Sequence, residues 1–600
     1  MCAIFGIVGD YCLEDTKRAF GELRHRGLDA TKSIKSHNFF LGVHRLSITH
    51  TLNYDSQPAE KNGIFTVFNG EVYNFEELKI EYRLKSRSEA ELILELFERL
   101  GESFVNKLQG MFAIAILTSS KLYLFRDNFG KKPLYYSNLG RSFVFASELR
   151  SIKSIKKTNH FDRKSLASVL FYQSFVAPKT MFDDIYQLTA GEMLIWNRNS
   201  QKISKKFWYQ PKKLLDKIEI SNIEATKRIE ILLKNAISKR VPKEVDFGAL
   251  LSGGLDSSLV SALLSQERKI DTFSIGYEGF ENYDERRFAR VVAKHIDSNH
   301  TEVILSDDDF FTSLEEWIKH LDEPLLDPAS IPLWHLIKTI KRSSNKKVLF
   351  SGDGSDEIFL GYRLYQEYLD IEEAGKLKHK NWLRKYFRAN FSMNKEWERY
   401  KRVFDDSLLY RSMAELFTDL QLNLLLKLNV PDDNSLKDIA QIRDRFLELG
   451  GKNSIDWYSF VDIHTILAEL FLKKLDRVTM AFSIEARSPF LDRDLVEFIF
   501  SLPQEVRVSN SQKALLKNVA KSYLPAQIID RKKKGFSYPF IEWLKSKDEL
   551  KVIDEVQKEL GIFREDALNG LLQKSKKSKR FKHHIFAIYL LSKWLKKHYL

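Results

Sequence analysis

The chain has 600 residues, is 44% hydrophobic and 12% aromatic, carries a net charge of +14 and holds only two cysteines. That length and apolar content suit two or three globular cores, while two cysteines and no Cys/His cluster at zinc spacing exclude a disulfide framework and a zinc ribbon and point to a reducing compartment. No basic stretch with a following apolar run opens the sequence, and no uncharged apolar run approaches the roughly 18 to 20 residues that span a bilayer, so the expectation is a cytoplasmic protein with no membrane partner.

The lysines are spread along the chain, with modest clusters at Lys532 to Lys534 and from Lys574 to Lys582. Such a distribution suits a solvated surface and anionic small substrates, and no nucleic-acid partner is expected.

In chain order, Cys2 comes directly behind the initiator methionine in "MCAIFGI". Up to about residue 195, short β-rich runs such as "GIFTVFNGEVYN", "GMFAIAILTSSKLYLFRD" and "SFVFASE" are broken by turns, with one clear helix near Ala90 to Leu100. This pattern predicts a layered α+β domain. Between Asn197 and Glu224 the text turns polar and Lys-rich, which reads as a linker, and the expected domains are 1–205 and 206–600. From Thr226 an amphipathic helix, the buried strand "VDFGALL", a Ser-Gly turn, a second helix and the strand "IDTFSIGY" follow. Strand alternating with helix predicts an α/β doubly wound parallel sheet. Beyond Gly361 the chain reads as mostly helical, without internal repeats.

Two stretches of the second domain carry phosphate chemistry. "LLSGGLDSS", Leu250 to Ser258, follows a buried strand and opens a helix. Its glycines allow close backbone approach, its hydroxyls and amides donate to phosphate oxygens, and the helix start favours negative charge. "VLFSGDGSDEIFLGY", Val348 to Tyr362, is a second apolar strand ending in a Gly-rich acidic loop. Either alone would be an ordinary solvated turn. In an open α/β sheet, two such loops converge at the carboxyl ends of the strands, where ligands bind.

With these loops the chain resembles the glutamine-dependent asparagine synthetases, whose second domain is of the ATP-pyrophosphatase type. "LDRVTMAFSIEARSPFLD", Leu475 to Asp492, and "RKKKGFSYP", Arg531 to Pro539, look like further signatures of that family. The resemblance implies that ATP adenylates the β-carboxylate of aspartate and that ammonia then displaces AMP. It implies that Ser252, Gly253, Gly254, Asp256, Ser257 and Ser258 hold the pyrophosphate and that Asp256 and Asp356 ligate Mg2+. Leu250, Ile275, Ser351 and Gly352 would line the nucleotide. Asp353 takes the position implicated in forming the acyl-adenylate, and Lys513 matches the lysine that stabilises charge on the α-phosphate.

The first domain is similar to class II glutamine amidotransferases, an N-terminal nucleophile fold of αββα layers. The resemblance implies that Met1 is removed, so that Cys2 carries a free α-amine. A thiol of pKa about 8.5 needs a base, and an α-amine of pKa about 7.7 to 8.0 serves. Asn69 and Gly70 of "NGEVYN" would supply the oxyanion hole, with Glu71 beside them, although a bare Asn-Gly is usually a hairpin turn. "RLSIT", comprising Arg45, Leu46, Ser47, Ile48 and Thr49, looks like the segment that holds the glutamine carboxylate, with Arg45 as the fork for it. Glu89 stands where the family has the aspartate that binds the substrate amine, one methylene longer, and Leu28 stands where relatives carry proline. An internal ammonia channel is implied by the resemblance alone, and a homodimer is left open by it.

The carboxylate acceptor is the least determined part. "DEPLLDPASIP", Asp322 to Pro332, replaces the Thr-Thr-Ile-Arg-Ala-Ser type of text of well-known asparagine synthetases. Aspartate is the expected acceptor, a sugar uronic acid of surface polysaccharides is the alternative, and a non-catalytic paralogue is disfavoured by intact Cys2, Asn69, Asp256, Asp353 and Lys513.

Overall fold

Two six-stranded antiparallel sheets are stacked in the first 207 residues. One runs in spatial order Tyr186–Gln187, Tyr135–Asn138, Phe143–Ala146, Cys2–Val8, Phe39–Arg45 and Ala30–Ser36; the other runs Ile203–Phe207, Glu192–Asn197, Lys121–Arg126, Gly110–Leu117, Ile64–Val72 and Ala59–Lys61. The computed structural model describes residues 2–49, 57–157, 160–210, 216–390, 395–431, 433–508, 511–531, 538–546, 549–577 and 581–600. Met1, the Lys532 to Lys534 cluster and most of the "RKKKGFSYP" signature lie outside the described residues.

All seven residues of Cys2–Val8 are buried because the strand is covered on both faces. Side chains alternate across a strand, so Cys2, Ile4 and Val8 enter the core between the sheets, against Val67, Ala113 and Leu124. Ala3, Phe5 and Ile7 point the other way, toward Phe20 and Leu149 of the helices Leu13–Gly21 and Leu149–Lys156. The second sheet repeats the device, with Phe68, Ile114 and Ile116 packed on Leu92, Leu96 and Phe97 of the helix Glu89–Leu100. The result is the expected αββα sandwich.

One stretch departs from the expectation. Within the polar segment read as a linker, Ile203–Phe207 is an edge strand paired antiparallel to Glu192–Asn197. Its lysines face solvent along an unprotected sheet edge, where charge discourages further pairing, and this polarity hides the strand in the sequence.

The second sheet system has five strands, all parallel, in the order Asn299–Leu305, Asp271–Tyr277, Phe247–Leu250, Val348–Phe350 and Glu485–Arg487. The chain winds outward in one direction from Phe247–Leu250 and then crosses to Val348–Phe350 on the other side. The strand order therefore reverses between these two neighbours, which is where open α/β sheets bind ligands. Both Gly-rich loops leave from this point. The fifth strand lies in the region expected to be helical; three residues, Glu-Ala-Arg, are too short and too polar to announce a strand.

Residues 454–480 form one helical rod, Ser454–Asp462, a wide-turned segment Ile463–Phe471 and Leu472–Met480. The rod is clamped to the sandwich by buried charges: Arg126 with Glu469 at 2.9 Å, Arg26 with Asp476 at 2.8 Å and Glu148 with Arg477 at 2.9 Å. Among the described residues no helix is long and apolar enough to cross a membrane.

Candidate active sites

The register Cys2↔Arg45 places the thiol at the mouth of the sandwich, beside the segment Arg45 to Thr49. The Cys2 main-chain nitrogen donates to Asn69 Oδ1 at 3.1 Å. Asn69 is fully buried, and its Nδ2 has no hydrogen-bond partner among the described residues. An unpaired buried amide donor costs about 1–3 kcal/mol, so this N–H is held ready for an acceptor absent from the protein itself. Gly70 follows because nothing larger fits: a Cβ there would lie 2.0 Å from the Met111 carbonyl oxygen.

Cys2, Arg45, Leu46, Ile48, Thr49, Gly70, Glu71 and Glu89 line one cavity. Ser47 is the member of "RLSIT" that does not. Its N–H donates to Asp29 Oδ2 at 2.7 Å and its carbonyl accepts from Lys347 Nζ at 3.2 Å, and Lys347 is in turn paired with Asp29 at 2.7 Å. Ser47 thus anchors the back of the segment to the parallel-sheet domain. Gln57, Phe68, Ser88 and Ala90 complete the wall. No motif marks Gln57 or Phe68, whereas Ser88 and Ala90 flank Glu89 in the stretch "SEAE" that aligns with a family Ser-Asp-x-Glu, and the Ser88 Oγ caps the following helix by accepting the Glu91 N–H at 3.3 Å.

The charges of this cavity are perturbed in informative directions. Burial pushes the Cys2 thiol up, opposed by the Arg45 guanidinium. Burial, with Glu71 second, holds Glu89 well above the ordinary carboxylate range, although its Oε1 accepts the Val72 N–H at 2.6 Å. Glu71 is also raised by burial and is paired with Arg487 Nη2 at 3.3 Å. Leu28, the departure in "HRGLD", is 59% exposed and touches none of this.

The second site is built at the switch point. Phe247–Leu250 ends in the loop from Leu251 to Gly254, and the helix Leu255–Glu267 begins there. Gly253 has φ +74 and its Cβ would sit 2.6 Å from the Ala289 nitrogen. Ser252 Oγ and Ser257 Oγ are 2.9 Å apart, and Arg531, the described start of its signature, donates to the Gly253 carbonyl at 2.9 Å. The loops touch, since a Cβ on Gly352 would meet the Ser257 nitrogen at 2.9 Å. Leu250 and Ile275 stand half-buried on adjacent strands of the same sheet.

Between the loops lies a cationic centre. Lys513 Nζ donates to Asp256 Oδ1 at 2.6 Å and Oδ2 at 2.7 Å, and is 2.6 Å from Asp356 Oδ1. Ser355 Oγ donates to Asp256 Oδ1 at 2.8 Å. Two carboxylates and a hydroxyl are a hard, all-oxygen donor set that could hold Mg2+, and the ammonium among them marks where positive charge is needed. Asp353 is pushed up by burial and drawn down by a hydrogen bond from Ser351. Glu357, unmarked in the sequence reading, is pushed up to about 8 by burial and Asp356.

A continuous link joins the sites. Glu71 in the cavity wall holds Arg487, the Arg487 carbonyl accepts the Ser351 N–H at 2.9 Å, and Ser351 and Ser488 hydroxyls are 3.1 Å apart. Elsewhere among the described residues, His25, Glu148 and His320 come together at metal-like spacing. Glu148 already meets Arg26, Arg150 and Arg477 within 3.0 Å, so this is an ion-pair centre of the interface.

The chain thus carries a cysteine-lined cavity in an αββα sandwich and a cradle of two Gly-rich loops at the switch point of a parallel sheet. The family model described as glutamine amidotransferase domain matches residues 1–208, and the one described as asparagine synthase matches residues 228–596. The chain belongs to the asparagine synthase family. It is 28% identical over 571 residues to asparagine synthetase [glutamine-hydrolyzing] 1 of Bacillus subtilis, covering 91% of this chain and 88% of that protein. Asparagine synthetase [glutamine-hydrolyzing] 3 of the same organism is 26% identical over 544 residues, covering 86% and 82%. The rat enzyme, asparagine synthetase [glutamine-hydrolyzing], is 26% identical over 566 residues, covering 90% and 84%.

Proposed function

We propose that the chain is a glutamine-dependent asparagine synthetase. The observation that carries this reading is the link from Glu71 through Arg487 to Ser351, which ties the wall of the cysteine cavity to the head of the acidic loop. The names of the curated relatives support it.

In the first site, with Met1 removed, the Cys2 α-amine takes the thiol proton and Sγ attacks the glutamine amide carbon. Asn69 Nδ2 and the Gly70 N–H receive the oxyanion, and the amine returns the proton to departing ammonia. Water then hydrolyses the thioester to glutamate. Arg45 holds the substrate carboxylate and Glu89 its ammonium.

In the second site the serine-glycine loop, Ser252 to Ser258, binds the pyrophosphate of ATP. Asp256 and Asp356 would hold Mg2+, which when bound neutralises phosphate charge. An oxygen of the aspartate β-carboxylate bonds to the α-phosphorus and pyrophosphate leaves; ammonia then attacks the acyl carbon and AMP leaves. Lys513 stabilises charge on the α-phosphate and Asp353 positions the acyl-adenylate.

The test is aspartate-dependent release of AMP and pyrophosphate from ATP with glutamine as donor. Turnover with aspartate is expected. Silence with aspartate together with turnover of a nucleotide-linked uronic acid would replace this reading with the polysaccharide one.

A further inference from the structure

The strand Val348–Phe350 leads into the acidic loop at its carboxyl end and is preceded by Lys347 at the other. The Lys347 main chain is fixed from both sides: its N–H donates to the Asp246 carbonyl at 3.1 Å, and its carbonyl accepts the Glu485 N–H at 2.8 Å. The side chain leaves the parallel sheet and reaches the sandwich. Lys347 Nζ donates to Asp29 Oδ2 at 2.7 Å and to the Ser47 carbonyl at 3.2 Å. Asp29 is itself bound twice to the segment from Arg45 to Thr49. Its N–H donates to the Arg45 carbonyl at 2.9 Å, and the oxygen that receives Lys347 also accepts the Ser47 N–H at 2.7 Å. Gly27 leaves no slack beside them, since a Cβ there would lie 2.4 Å from the His44 carbonyl oxygen. Asp29 and Lys347 therefore hold the main chain on both sides of Leu46, while Arg45, Leu46, Ile48 and Thr49 line the cavity with Cys2. The ion pairs Arg126–Glu469 and Arg26–Asp476, which also join the domains, include no residue that lines the cavity. Glu71 and Arg487 meet through side chains, whereas Lys347 grips the main chain of the segment itself.

We propose that Lys347 is a positioning residue for glutamine hydrolysis, a cation supplied by the parallel-sheet domain that sets the main-chain shape of the Arg45 to Thr49 segment through Asp29 and Ser47. The inference rests on the glutaminase reading of the cavity and adds to it a residue from outside the first domain. Without the ammonium, Asp29 keeps a negative charge with no counter-charge and the Ser47 carbonyl loses its donor. The segment is then free to relax, and Arg45 no longer meets the substrate carboxylate at the same point; small misplacements of a binding group weaken it. Lys347 touches no substrate, and the thiol, its amine and Asn69 Nδ2 stay in place, so the loss falls on glutamine binding. The Lys347 and Asp29 side chains are 26% and 21% exposed, which limits the effect because water screens part of the pair.

The experiment measures glutamine hydrolysis and ammonia-dependent pyrophosphate release in parallel on the full-length enzyme. Lys347→Met should raise the glutamine KM about threefold to tenfold, the range for a charged pair that water partly screens, with a much smaller change in kcat. Lys347→Arg, which keeps the charge, should restore a KM near that of wild type. Asp29→Asn should raise the KM as well, and the double variant should be no worse than the worse single one, because the two side chains act as one clasp. Ammonia-dependent release should be kept by every variant. An unchanged glutamine KM in Lys347→Met or, where that variant does not fold, in Asp29→Asn would overturn the positioning role. Additive effects in the double variant, or a fall in ammonia-dependent release that matches the fall with glutamine, would overturn it too. No glutamine hydrolysis by wild type would instead overturn the glutaminase reading beneath it.

Discussion

The ammonium of Lys513 lies 2.6 Å from Oδ1 of Asp256 and 2.6 Å from Oδ1 of Asp356, closing carboxylates from two separate loops. Lys513 holds left-handed backbone angles, φ 55 and ψ 36, and a Cβ on Gly361 would lie 2.2 Å from its Cε, so both backbone and surroundings fix it there. Lys513→Met should abolish pyrophosphate release. It should also lower folding stability by about 3 kcal/mol, because two largely buried carboxylates lose their counter-charge. Millimolar Mg2+ should restore part of the melting temperature of the variant and leave wild type nearly unchanged. Calorimetry with and without Mg2+ checks this, and equal responses in both proteins would contradict the arrangement.

Cys2 and Lys513 belong to separate sites. Cys2→Ala should reduce glutamine hydrolysis at least about a thousandfold, as removal of a catalytic nucleophile does, while ammonia-dependent synthesis continues. Parallel assays with glutamine and with ammonium chloride decide it. Loss of both activities would mean that the cavity and the cradle are not independent. A tag left on the N-terminus should mimic Cys2→Ala, since the α-amine that serves as base would be acylated.

The unpaired Asn69 Nδ2 predicts a kinetic signature. Asn69→Ala should lower kcat for glutamine hydrolysis about a hundredfold to a thousandfold, the effect of deleting one oxyanion donor, with a much smaller change in KM. A change confined to KM would make Asn69 a binding residue.

How much was legible in advance follows the range of the interactions. The two Gly-rich loops stand out as local patterns after buried strands, whereas Cys2 and the Asn69–Gly70 pair take their expected roles from the family resemblance, since a bare Asn-Gly reads as a hairpin turn. The facing of Cys2–Val8 was not legible, because the strand is apolar throughout and buried on both sides. Contacts made by distant segments were not legible either. Nothing near Lys513 in the chain says that its ammonium bridges Asp256 and Asp356, and nothing near Glu71 announces Arg487. The strand Glu485–Arg487 exists because Val348–Phe350 offers it an edge, so tertiary pairing rather than propensity makes it. Which residue of "RLSIT" turns away from the cavity was likewise settled by Asp29 and Lys347, from two other elements.

Glu89 gives a pH prediction for the first site. Burial and Glu71 favour its protonated form above the usual carboxylate range. With Glu89 receiving the substrate ammonium, only its ionised form binds well, so the glutamine KM should rise as pH falls through that raised pKa. Glu89→Gln should raise KM about tenfold to a hundredfold, the worth of a charged hydrogen bond, and flatten its pH dependence. Initial rates across pH in both proteins test this; a pH-dependent KM that survives in Glu89→Gln would move the effect to another group.

Asp462 gives a stability prediction. It is fully enclosed in the helical rod, with the Tyr365 hydroxyl donating to Oδ2 at 2.7 Å and the Tyr410 hydroxyl to Oδ1 at 2.9 Å. Burial pushes its pKa up to about 7, the two hydroxyls only partly countering it. In the unfolded chain the carboxyl titrates near its ordinary value of about 4. Between these values the folded protein holds a proton that the unfolded chain has released, so stability is greatest at the acid end and falls as pH rises. The slope is about 1.4 kcal/mol per pH unit across that window and levels off above pH 7, about 4 kcal/mol in all. Asp462→Asn cannot titrate. Other groups contribute equally to both proteins, so the difference between their denaturant-unfolding free energies isolates Asp462. The wild-type advantage should shrink steadily from about pH 4 to pH 7 and then stay constant, whereas parallel curves would mean that Asp462 is ionised throughout.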